Sequence, residues 1–160
     1  MPTLYLDLDG VFADFISAVY RHTHLNYIED PIKAWQAVDK IPQFYQRIYP
    51  LPGALSLFDT IKKQCTIPIE ILTALPDPTG LLRSAPHDKE CWVHRYMSPD
   101  IKVNTVQGWE AKALFAFPGC ILVDDSARNI SDWVTSGGTG VHHTSNWNTL
   151  TDLNMLGILN

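Results

Sequence analysis

Thr3-Leu4-Tyr5-Leu6-Asp7-Leu8-Asp9-Gly10 is the stretch on which the fold turns. Thr3 to Leu8 is a short β-prone apolar run, and Asp9-Gly10 is a good stop for a buried strand. Asp7 and Asp9 flank one residue, so alternation along an extended chain puts both carboxylates on the same side. An Asp-Gly pair after a strand is also an ordinary turn. The rest of the chain has to decide between the two readings.

Working outward, Asp14 can cap a helix running to about His24, with Phe15, Ile16, Val19 and Tyr20 on its apolar face. From Asn26 to Pro50 the chain is aromatic-rich and mostly helical in pattern, interrupted by Pro31 and Pro42. Pro50-Leu51-Pro52-Gly53 breaks it, and a helix with Leu55, Phe58 and Ile61 inward follows to about Lys63. Ile67 to Thr73 reads as a second buried strand, and 77–86 as a loop. His87 to Tyr96 reads as a helix with Trp92, Val93 and Tyr96 inward. Ile101 to Val106 is a third strand, followed by a short helix around Glu110 to Phe115. Ile121 to Val123 is a fourth strand running into Asp124-Asp125. Asn129 to Thr135 is helical, Gly137-Gly138 stops it, and Gly140 to His143 is a last short strand. Strands alternating with helices predict an α/β domain with a parallel sheet covered on both faces. Ligands of such sheets bind outside the carboxyl ends of the strands.

The 160 residues suit one domain with a small inserted subdomain, and 46% hydrophobic with 18% charged residues suits a globular enzyme. A formal net charge of -5 argues against broad contact with a nucleic-acid backbone, so no extended nucleic-acid partner is expected. Cys65, Cys91 and Cys120 are widely spaced and odd in number, which reads as reduced thiols in a cytoplasmic protein. The first residues lack the basic and apolar regions of a signal peptide, and no run approaches the roughly 20 apolar residues that span a bilayer.

Asp7 and Asp9 follow the first strand, Thr73 ends the second, and Asp124-Asp125 follow the fourth. In a parallel sheet these ends share one edge. Four carboxylates there repel one another unless a cation neutralises them. Oxygen-only ligands favour a hard ion, and Mg²⁺ leaves room for a phosphate oxygen. A carboxylate nucleophile that forms an acyl-phosphate is an established route for phosphoryl transfer.

Asp7-Leu8-Asp9-Gly10-Val11 after a strand, Thr73, Lys112 and Asp124-Asp125, in that order, resemble the four motifs of the haloacid dehalogenase superfamily of phosphatases. Asp7 to Phe15, Pro50 to Ala54, Asp88 to Val93 and Asp124 to Asn129 further resemble the 5'(3')-deoxyribonucleotidases, over nearly the whole chain. The resemblance implies a three-layer Rossmann-like core from 1–15 and 67–160, with a small helical cap, 16–66, inserted after the first strand. It implies a magnesium-dependent phosphatase with Asp7 as nucleophile. Asp7, the Asp9 backbone carbonyl, Asp124 and Asp125, the last by way of a bound water, would hold the ion. Asp9 would act as general acid and then base. Thr73 and the amides beside it, Ala74 included, would hold phosphate, and Lys112 would stabilise its charge. Asp125 would otherwise position Lys112 or cap the following helix. Lys89 is a second phosphate-binding candidate or else a surface lysine. Phe15, Trp35, Phe44 and Tyr45 would form a slot for a flat base or simply the core of the cap, with Phe15 and Tyr45 matching family contact positions.

The six histidines receive no role, because His142 and His143 would point to opposite faces and the others lack a convergent partner. Two departures bear on nucleotide preference. Ala74-Leu75-Pro76 stands where the family has Ser-Pro, and Gln107-Gly108-Trp109-Glu110-Ala111 replaces a basic-acidic turn before Lys112. The expected partner is a small phosphorylated substrate, foremost a nucleoside monophosphate, with a homodimer left open. A sugar phosphate, another small phosphoester or a nucleic-acid end is the alternative substrate, and a non-catalytic nucleotide-binding module the alternative class. A response-regulator receiver reverses the order of acidic pair and phosphorylated aspartate. A glycosyltransferase would not predict Lys112 or Asp124-Asp125.

Overall fold

Alternate strand residues enter opposite apolar layers in the computed structural model, which describes residues 1–76 and 80–160. Its strands are β1 (Leu4–Leu6), β2 (Ile69–Leu75), β3 (Lys102–Gln107), β4 (Ile121–Asp124) and β5 (Thr139–His142). Leu4, Leu6, Ile71, Ile121 and Val123 join one hydrophobic cluster, while Tyr5, Leu72 and Leu122 join the other. This is the period-2 signature of a sheet buried on both faces. All pairs are parallel, in the order β3-β2-β1-β4-β5. β1 is central, with Leu6 level with Ile71 on one side and Val123 on the other.

Six α-helices are present among the described residues: α1 (Phe15–Thr23), α2 (Pro31–Val38), α3 (Ala54–Gln64), α4 (Ala85–Tyr96), α5 (Ala127–Thr135) and α6 (Asn146–Met155). Phe58 and Ile61 of α3, Trp92 and Val93 of α4 and Leu153 of α6 lie in the first cluster, and Trp133 of α5 in the second. The aromatic segment supplies Phe15, Val19, Val38, Phe44 and Tyr45 to the first cluster, so it is packed continuously onto the core. No described helix is long and apolar enough to cross a membrane.

Several details differ from the sequence reading. Ile16 and Tyr20 are exposed and Ala18 is buried, because the inward stripe of α1 follows Phe15, Ala18 and Val19. Pro31 starts α2 instead of interrupting a helix; at the first helical position its missing N–H costs nothing. Only a 3₁₀ turn, Phe44–Arg47, follows Pro42. β2 runs on to Leu75, and Ala85 and Pro86 already belong to α4; residues 77–79 of the expected loop lie outside the described residues. Helix α6 was not anticipated: its buried residues are only Thr149 and Leu153, too thin a stripe to register as a period.

Candidate active site

Three strand ends and one glycine turn build the site. The Asp7 N–H donates to the Val123 carbonyl at 2.9 Å, which fixes the end of β1 beside the end of β4. The chain then leaves the sheet: the Leu8 carbonyl accepts from the N–H groups of Phe12 and Ala13, and Gly10 turns at φ +83°. A Cβ at Gly10 would lie 2.2 Å from Asp125 Oδ2, so a side chain there is excluded by both backbone and space.

Lys112, on the 3₁₀ turn Trp109–Phe115, reaches under this edge and is buried. Its ammonium lies 2.7 Å from Asp7 Oδ1 and 2.7 Å from Asp124 Oδ2. Asp124 also accepts from the Ser126 N–H at 2.8 Å and from Asn129 Nδ2 at 2.9 Å. Ser126, not Asp125, caps α5, its hydroxyl accepting from the Asn129 N–H. The expectation that Asp125 caps that helix or positions Lys112 is therefore not met, because Ser126 and Asp124 hold those places. Asn129, to which the sequence reading gave no role, fixes a rotamer of Asp124.

The electrostatics follow from burial. Asp7 is pushed up to about 8, first by desolvation; Lys112 pulls it back, and Asp124 and Asp9 push it further. Burial thus outweighs one buried ammonium. Lys112 goes the other way: burial lowers it, but Asp7 and then Asp124 leave it above its ordinary value. Asp125 is exposed as a residue, yet desolvation of its carboxyl, followed by the charge of Asp124, raises it to about 6. One oxygen from each of Asp7, Asp124 and Asp125 falls within 4.8 Å of the others. An all-oxygen donor set in which Asp7 and Asp125 resist ionising fits a hard divalent cation.

Asp9 takes a different partner. Lys89 of α4 is fully buried and donates to Asp9 Oδ2 at 2.6 Å, Thr73 Oγ1 at 2.9 Å and the Ala74 carbonyl at 2.8 Å. It lies 4.4 Å from the Tyr45 ring centroid. Lys89 is therefore not a surface lysine. The sequence reading placed Asp7 and Asp9 together; the structure divides them between two lysines, because the extended chain ends at Leu6. Asp9 Oδ1 is buried without a hydrogen-bond partner.

Above these groups opens a cleft of about 750 Å³, lined among others by Asp9, Phe15, Trp35, Tyr45, Ala74 and Asp125. Phe15 stacks on Tyr45 at 6.2 Å between centroids and tilts against Trp35 at 5.3 Å. Tyr27, which the sequence reading did not select, meets Phe15 edge-on at 5.0 Å and lines the same cleft. Phe44 is fully buried behind this wall and is core only. Trp109 and Arg128, also passed over, line the cleft with the guanidinium 3.7 Å above the indole. Their separation in sequence hid the pairing. His142 bonds the Asp125 carbonyl and His143 the Thr149 hydroxyl, so neither joins the carboxylates.

No family model matches the chain. A Vibrio phage KVP40 protein named "Putative 5'(3')-deoxyribonucleotidase" is 25% identical over 134 residues, covering 80% of this chain and 68% of that protein. Among solved structures, a HAD-superfamily hydrolase of subfamily IA from Geobacter sulfurreducens matches with a TM-score of 0.55 and 14% identity, over 96% of each chain. A HAD-superfamily hydrolase from Ehrlichia chaffeensis matches at 0.54 and 12%, over 98% of each. The chain thus has the α/β fold of haloacid dehalogenase superfamily hydrolases, and its sequence resembles that of the phage protein.

Proposed function

We propose that the chain is a phosphomonoesterase working through an aspartyl-phosphate on Asp7, with a deoxyribonucleoside monophosphate as its substrate. One observation carries the reading: the strand-end carboxylates Asp7 and Asp124 share Lys112 at 2.7 Å each, beside Asp125, at the edge of a cleft large enough for a nucleotide. The phage relative's name supports the substrate, and the aromatic wall supports a flat leaving group.

Asp7, Asp124, Asp125 and the Asp9 carbonyl would hold Mg²⁺, which when bound supplies the positive charge that keeps Asp7 ionised at neutral pH. The Asp7 carboxylate attacks phosphorus in line, forming the acyl-phosphate as the bond to the leaving oxygen breaks. Lys112 neutralises Asp7 and Asp124 and holds the nucleophile in place. Asp9, once protonated on Oδ1, the oxygen that Lys89 does not hold, gives that proton to the leaving oxygen. Asp9 then takes a proton from water as that water attacks the phosphoryl group, releasing phosphate and regenerating Asp7. Thr73, whose oxygen accepts from Lys89, keeps its hydroxyl hydrogen for a phosphate oxygen. Lys89 has three acceptors already, so its direct contact with phosphate requires giving one up. Residues 16–66 act as a cap in this reading, with the core formed by 1–15 and 67–160.

Phosphate release from dUMP, dTMP, the matching 3'-phosphates and a panel of sugar phosphates, with and without Mg²⁺, tests the proposal. Turnover is expected to need Mg²⁺, to favour a deoxynucleotide, and to fall about 10⁴-fold in Asp7→Asn. Asp9→Asn is expected to lose about 10²- to 10⁴-fold. Wild-type turnover by a folded Asp7→Asn protein would refute the mechanism, and a sugar phosphate turned over fastest would replace the substrate.

A further inference from the structure

The cleft has a wall that phosphoryl transfer at Asp7 does not use. Trp109 opens the 3₁₀ turn after β3, and Arg128 stands in the first turn of α5, just beyond Asp124-Asp125. The guanidinium carbon lies 3.7 Å from the indole centroid, and both side chains line the cleft. Arg128 is the one cation among the described lining residues, alongside Asp9, Asp14 and Asp125. Among the described residues it makes no ion pair. The buried ammoniums of Lys112 and Lys89 are each bonded to carboxylates already.

Stacking on an indole holds a guanidinium by one face and leaves its N–H edge available, a planar fork matched to an oxyanion. A substrate with a second anionic group would meet repulsion from the lining carboxylates, and Arg128 is the group in the cleft that offsets it.

We propose that Arg128, oriented by Trp109, is a specificity-determining residue that binds a second anionic group of the substrate, remote from the phosphate transferred at Asp7. The inference rests on the phosphatase reading above and extends its substrates beyond the nucleoside monophosphate, to phosphomonoesters carrying a further phosphate or carboxylate. Such a molecule would bridge the wall and the acidic edge, whereas a singly phosphorylated one would leave Arg128 to water.

Steady-state kinetics with Mg²⁺ separate the cases, using a deoxynucleoside 3',5'-bisphosphate, 3-phosphoglycerate, the corresponding 5'-monophosphate and p-nitrophenyl phosphate. Arg128→Gln is expected to raise KM about ten-fold for the doubly anionic substrates, with kcat within about two-fold. KM for the two singly phosphorylated substrates stays unchanged. Arg128→Lys restores part of the loss, and Trp109→Leu reproduces a smaller part of it, about three-fold. Which doubly anionic substrate loses affinity identifies phosphate or carboxylate as the group read. A uniform change across all four substrates, or none, overturns the proposal. If the wild type turns over nothing, the phosphatase reading fails separately. Calorimetry of the same bisphosphate with Mg²⁺-loaded protein then decides: binding lost in Arg128→Gln upholds the assignment, and equal or absent binding refutes it.

Discussion

At the acidic edge, Lys112 holds Asp7 and Asp124 at 2.7 Å each, and Asp124 takes two further donors, Ser126 N–H and Asn129 Nδ2. On the aromatic wall, Phe15, Tyr27, Trp35 and Tyr45 meet ring against ring, with centroids 5.0 to 6.2 Å apart. The first region is directional and charged, so a lost group leaves another unpaired. The second is held by area and shape, so a lost ring leaves neighbours that repack. The one should fail abruptly when altered and the other by degrees.

The largest effect expected is at the edge. Lys112→Met keeps the length of the side chain but removes the ammonium that lies between two buried carboxylates. Breaking one partner out of a buried pair costs about 3–5 kcal/mol, and with two carboxylates involved the upper end is expected in chemical denaturation. Turnover disappears with it. Mg²⁺ should recover part of the stability, since a cation near Asp7 and Asp124 replaces some of the missing charge. Denaturation midpoints equal to wild type would mean that the edge tolerates loss as the wall does.

The pH dependence of stability sharpens the contrast. Asp7 sits at about 8 in the folded chain, against about 3.9 for an unperturbed aspartate. The folded state therefore binds the extra proton between those values. The contribution is complete below about pH 4 and is lost as pH rises through about 8. In chelator-treated protein, wild type should lose stability from pH 5 to pH 8 relative to Asp7→Asn, which has no proton to lose. The gap should change by about 5 °C or more in thermal melts. Mg²⁺ should raise the wild-type melting temperature more at pH 8 than at pH 5, because protons compete with the cation. Parallel profiles of wild type and Asp7→Asn would show that burial does not govern Asp7.

How legible each region was in the sequence follows from the same difference. Asp7 and Asp124-Asp125 stand at strand ends, which a parallel sheet brings together whatever the side chains do, while Thr73, inside β2, and Lys112, on the turn before β4, were marked by the order of the motifs they resemble. Chain order was enough to gather them. The partner of Asp9 was not legible: it depends on Lys89, on a helix between the two neighbouring strands, turning inward to meet Thr73 and Ala74. Arg128 over Trp109 was hidden for the same reason, being a contact between side chains of separate elements. Within the aromatic stretch, residue type marked the candidates, but burial alone separates Phe44, fully enclosed, from Trp35, half-buried at the cleft.

That separation gives the smallest expected effect and the finest test. Trp35 touches Phe15 at 5.3 Å and Tyr27 at 5.4 Å and lines the cleft. Trp35→Leu should cost about 1 kcal/mol of stability, the scale of an aromatic pair lost from a partly exposed site. It should raise KM for a deoxynucleotide about three- to ten-fold with kcat nearly unchanged, because in the proposed reading the wall orients the leaving group and does not touch phosphorus. Phe44→Ala should do the reverse, costing about 3–5 kcal/mol through the cavity it leaves while changing the KM values of deoxynucleotide and p-nitrophenyl phosphate alike. Selectivity would then move with Trp35 and stability with Phe44. If Trp35→Leu instead lowers kcat as Asp9→Asn does, the wall and the acidic edge act as one unit, and the division between directional chemistry and tolerant shape does not hold in this cleft.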